Sequence, residues 1–153
     1  MEKKLLKWNL EIDEVHAQVL IEALDIYSRI KMGQLERFED LFWDRKLTIE
    51  QNNAMKDCLD TLKPILFSGM SRGASLGIAS PENSESSKIA YGIKRTIEHR
   101  KSWDKVGNPA KRDWKTMLGT NFDEPKNYSQ HPLPKITTIT LKTKLGKLLE
   151  KKP

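Results

Sequence analysis

Four side chains in the second half of the chain, Lys88, Tyr91, Arg95 and His99, recur at intervals of three or four residues. On a helix that spacing stacks them on one face. Together an ammonium, a guanidinium, an imidazole and a phenol ring suit a nucleotide, because the ring stacks on a base and the cations meet phosphate. A solvated helix face has much the same composition, although Tyr91 and the nearby Trp103 are not needed for solvation. Just upstream lies the run 68–81, SGMSRGASLGIASP. Its glycines let backbone amides turn toward an anion, Ser71, Ser75 and Ser80 offer hydroxyls, and Arg72 offers a planar fork for phosphate. The candidate anion site therefore comprises Arg72, Ser75, Gly77 and Ser80 of this run with Lys88, Tyr91, Arg95 and His99 of the helix. The run has neither the Gly-Lys-Ser/Thr ending of a phosphate loop nor the dinucleotide glycine pattern. Its plain alternative is a connector between two helices.

Catalytic and metal chemistry find less to work with. His99 follows Glu98, but consecutive helical residues point about 100° apart, so the carboxylate does not orient the ring. No nucleophile accompanies it, and no catalytic residue is assigned. Cys58 is the single cysteine, and with His16, His99 and His131 it makes no zinc-type spacing. No metal and no cofactor are expected. Cys58 falls on an apolar helical stripe and reads as a small core residue.

The elements that must position these groups are mostly helical. Leu6, Trp8, Leu10 and Ile12 alternate with polar residues, the period of a short N-terminal strand. Asp13 can cap a helix with Val15, Val19, Leu20, Ala23, Leu24, Ile26, Tyr27 and Ile30 on its apolar side, ending near Gly33. A second helix from about Gln34 carries Leu35, Phe38, Leu41 and Phe42. Thr48 and Gln51 form a capping-box pattern before a third helix with Met55, Cys58, Leu59 and Leu62 inward, stopped or bent by Pro64. The fourth helix, roughly 87–104, turns Ile89, Ala90, Ile93 and Ile97 inward and Lys94, Arg95, Arg100 and Lys101 outward. Beyond it the chain loses periodicity, with Trp114, Met117, Leu118 and Phe122 as anchor points. A strand-like segment follows at 136–142, and then a basic tail.

This adds up to a mainly α fold with one or two short strands. It forms a compact helical domain over 1–104, followed by an extended arm over 105–153. The 153 residues suffice for one core, but the 37% hydrophobic and 31% charged fractions make self-association a route to further burial. Residues 1–67 hold 10 basic and 13 acidic side chains, whereas residues 126–153 hold 7 and 1. This asymmetry suits an anionic ligand, weak salt-sensitive contact with nucleic acid, or contact between copies. No apolar run approaches the roughly 20 residues of a membrane span, and a lone cysteine fits a reducing compartment.

Residues 21–30 with Met32, Gly33 and Gln34, then Ala74 to Ile78 with Ser80 and Pro81, then Ala90, Tyr91, Ile97, His99, Trp103 and Asp104 resemble a family of small bacteriophage and prophage proteins. The resemblance covers about 12–104. It implies a phage protein acting in the bacterial cytoplasm, where small accessory proteins often bind host proteins or immune signalling nucleotides, and the lack of a catalytic constellation makes a non-enzymatic binding protein the expectation. It assigns no residue a catalytic role.

Overall fold

The computed structural model describes residues 8–106 and 122–138. Its elements are α1 (Glu14–Lys31), a 3-10 helix (Leu35–Arg45), α2 (Ile49–Leu66) and α3 (Glu85–Val106). The fold is mainly helical, as the periodicity predicts. Residues 8–12 and 136–138 pair in no strand, and Trp8 and Leu10 stand 90% and 71% exposed. Alternation marks a half-buried strand only where a ladder partner exists, and neither segment has one among the described residues. Leu6, the anchor points Trp114, Met117 and Leu118, and everything from residue 139 onward lie outside the described residues.

Asp13 caps α1, accepting the His16 amide at 2.9 Å. The buried stripe is Ala17, Ile21 and Ser28, with Leu20 and Leu24 beside it, while Val15 and Val19 face outward. Both stripes have helical spacing, but the one with the small residues Ala17 and Ser28 permits close helix approach. Gly33 ends the helix at φ +86°, a left-handed conformation that favours glycine, and the Met70 side chain packs against its open side.

α3 lies antiparallel on α1, as the order of contacts shows. Ser87 Oγ donates to the Ser28 carbonyl, Lys94 Nζ meets Asp25 at 2.5 Å, and Lys101 Nζ donates to Gln18 Oε1 at 2.9 Å. Between these polar contacts Ile97 packs with Ala17 and Ile21, and Ile93 covers the edge. Lys94 is thus not a solvated cation, as its spacing suggests, but only 13% exposed. Its charge is tolerated because Asp25 lies opposite, and Asp25 also holds Arg29 at 2.6 Å.

Residues 122–138 run up α3 and back. Phe122 meets Trp103 edge-on with centroids 5.3 Å apart, Tyr128 meets Tyr91 at 6.0 Å, and the Gln130 amide donates to Glu85. Asn127, Ser129 and His131 make the turn through their own hydrogen bonds. The return limb sets Leu133 over Gly92, Ile136 against the α1/α3 core, and Thr138 between Arg100 and Asp104. A Cβ on Gly92 would come within 2.8 Å of the Leu133 methyl, so glycine makes the seat for this limb.

Burial pushes the Asp25 carboxyl up, but hydrogen bonds and charge from Lys94 and Arg29 outweigh it and hold the group below its ordinary value. A carboxylate depressed in the folded state stabilises the fold above its unfolded pKa, about 3.9. That contribution is lost as pH falls through the lower folded value. Asp25→Asn is expected to cost about 1–2 kcal/mol at pH 7, measured by urea denaturation, and to flatten the loss of stability below about pH 4.

Candidate functional site

The 3-10 helix has three residues per turn, so Glu36 and Glu39 stand one above the other on a single ridge. Opposite them on α2, Lys56, Leu59, Asp60 and Lys63 recur at the spacing of one helical face. The ridge and the face meet antiparallel, with Lys56 Nζ 3.9 Å from Glu39 and Lys63 Nζ 3.9 Å from Glu36. The loop after α2 closes one side: Arg72 Nη1 reaches Asp60 at 2.9 Å, with Gly73 beside it. Leu35 and Leu59 supply apolar wall, and the half-open groove between these elements measures about 370 Å³. That is near the lower end of small-molecule sites, which run from about 300 Å³ upward.

Lys63 is the unusual member. The residue is 3% exposed, and its ammonium is buried without a hydrogen-bond acceptor. The Glu36 carboxylate at 3.9 Å gives charge attraction but is too distant for a hydrogen bond. A buried ammonium costs desolvation, and charge attraction from Glu36 at 3.9 Å supplies no hydrogen-bond acceptor to replace the lost water. Thr48 and Gln51 start α2 with a complete capping box, and Pro64 sits inside the last turn, where the helix runs two residues beyond it. Pro64 therefore does not stop α2, because its missing amide and ring disturb only the final turn.

The structure distributes the residues expected from sequence over two places. Arg72 lines the groove, 73% exposed and paired to Asp60. Ser75 accepts from Gln34 Nε2 at 3.3 Å, Gly77 accepts the Ser80 amide in a turn, and Ser80 Oγ accepts from the Glu82 amide. On α3, Tyr91 carries Tyr128, Arg95 bonds Glu98 at 3.3 Å, and His99 touches the Asp123 carbonyl through Nδ1 and Glu124 through Nε2. Lys88 is half-buried on the same helix. Among the described residues no hydrogen bond or ion pair joins the loop set to the α3 set, and residues 122–138 lie across Tyr91 and His99. The loop is instead tied to α1, through the Leu76 amide and the Met32 carbonyl at 2.8 Å.

Cys58 is exposed, contrary to its reading as a core residue. With Leu62 and Ile65 it belongs to the outward side of α2, because the mixed stripe of Lys56, Leu59, Asp60 and Lys63 is the one that packs. Among the described residues no group of three His, Cys, Asp or Glu side chains is placed to hold a metal, and no helix is long and apolar enough to cross a membrane.

Comparison with protein-family models, curated proteins and solved structures finds no match. An isosteric apolar chain at position 63 removes the buried charge that has no hydrogen-bond acceptor and keeps the packing. Lys63→Met is expected to raise stability by about 1–2 kcal/mol, seen as a higher denaturant midpoint at unchanged slope.

Proposed function

We propose that this protein captures a small anionic ligand of nucleotide type without turning it over, and that the groove between the 3-10 helix and α2 is where it binds. The observation that carries this reading is that Lys63, a residue lining a groove of about 370 Å³, buries its ammonium without a hydrogen-bond acceptor. Retaining such a group against its desolvation cost makes sense if an oxyanion completes it. Arg72 at the rim can exchange Asp60 for a ligand phosphate, using the fork geometry that suits both. Capture needs affinity alone, and the groove offers no nucleophile beside a base. The resemblance of residues 12–104 to phage and prophage proteins supplies a setting, in which capture withdraws a host signalling nucleotide from circulation.

Calorimetric titration of the full chain with mono-, tri- and cyclic nucleotides tests the reading. Saturable binding is expected, lost in Lys63→Met and weakened about tenfold in Arg72→Ala. Absence of heat with all of them defeats it. Loss in Arg95→Ala with retention in Lys63→Met would move the site to the α3 face.

A second reading, docking on a protein, either a host factor or another copy of this chain, has one observation in its favour. Trp8, Leu10, Ile12, Val15 and Val19 follow one another as exposed apolar side chains. Light scattering at rising concentration separates the two cases. A dimer dispersed by Val15→Lys with Val19→Lys supports self-association, and a monomer throughout removes it.

A further inference from the structure

The lining of the groove narrows the ligand beyond its sign of charge, given that the groove captures an anion at all. It pairs three cations, Lys56, Lys63 and Arg72, with three carboxylates, Glu36, Glu39 and Asp60. The three pairs are not alike. Arg72 and Asp60 form a closed contact at 2.9 Å, whereas Lys56–Glu39 and Lys63–Glu36 stand apart at 3.9 Å. The Lys63 side chain is 4% exposed, and its carboxylate partner Glu36 is 56% exposed. The cation is therefore fixed in the protein, while the anion is free to rotate into water at little cost. Glu36 sits where a ligand oxyanion would have to sit, close enough to balance the charge and too far to satisfy the donors.

We infer that the groove takes a compact ligand with a single oxyanion group flanked by hydroxyl or amino donors, and that Glu36 holds the place of that oxyanion until the ligand displaces it. The oxyanion lies on Lys63, whose ammonium has three donors and no hydrogen-bond acceptor. Glu39 and Asp60 remain in the lining as acceptors, and they call for ligand donors. Leu35 and Leu59 offer contact to a ring or a carbon chain. A polyphosphate is disfavoured by the same lining. Its added charges have only Lys56 and Arg72 to meet, Arg72 must release Asp60 to do so, and they face three carboxylates. A phosphate monoester and a carboxylate share the chemistry that Lys63 recognises, and the titration distinguishes them.

The test is calorimetric titration of the full wild-type chain, Glu36→Gln and Lys63→Met with AMP, gluconate and ATP at fixed ionic strength. Glu36→Gln frees Lys63 of its placeholder, so it is expected to tighten AMP or gluconate about tenfold over wild type. Whichever of the two binds identifies the oxyanion as phosphate or carboxylate. ATP is expected to bind more weakly than AMP to every form. Glu36 is exposed enough that the variant keeps its fold, which circular dichroism checks, and Glu36→Ala gives the same gain by an independent substitution. Wild-type binding that Glu36→Gln leaves unchanged or weakens, or ATP binding as tightly as AMP, overturns the inference while leaving anion capture in place. No heat from any of the three with wild type or Glu36→Gln overturns the inference, and silence with cyclic nucleotides as well removes anion capture itself.

Discussion

The antiparallel contact of α1 with α3 is the constraint on which the rest depends. Its apolar content is small: Ala17, Ile21 and Ile97 form the buried cluster, with four partly buried neighbours. So few methyl groups would permit several helix registers at similar energy. Polar contacts remove that freedom. Ser87 on the Ser28 carbonyl, Lys94 on Asp25 and Lys101 on Gln18 are each made in one register only. A polar group shifted away from its partner in this half-buried seam costs more than the contact returns, so the pairs specify the arrangement even where their net contribution is modest.

From that seam two consequences spread. On one side, α3 presents Tyr91, Gly92, His99 and Arg100 to residues 122–138, so a face that composition marks as a ligand surface is used to hold the chain's own return limb. On the other side, the end of α1 fixes the 3-10 helix through Gly33, and the loop after α2 comes back to Met32. The groove is thus bounded by pieces that all take their position from the terminus of one helix.

The helices were legible because capping residues and apolar spacing agree: Asp13 before α1 and Thr48 with Gln51 before α2 both act as their side chains dictate. Orientation was not. On α1, Val15 and Val19 look as apolar as Ala17 and Ile21, and only the demand for a close helix partner decides between the stripes. On α2 the most apolar face, with Cys58 and Leu62, points to solvent, because a face carrying two lysines and an aspartate found carboxylates to meet. Hydrophobic patterning has no means of recognising a lysine turned inward. The informative signal was relational: Glu36 and Glu39 three apart in one segment, Lys56 and Lys63 seven apart in the next. Of the candidate site residues legible in the sequence, Arg72 alone lines the groove.

The 3-10 geometry of Leu35–Arg45 has a mechanical meaning as well. Eleven residues rising about 2.0 Å each cover roughly 22 Å, against about 16 Å for an α-helix of the same length. Winding into the commoner form would shorten the segment by about a quarter and swing Glu39 some 60° around the axis away from Glu36. The two carboxylates would then cease to face the lysines as a pair. The winding of this one segment therefore sets both the length of the groove wall and the alignment of its charges, as a screw thread sets pitch and angle together.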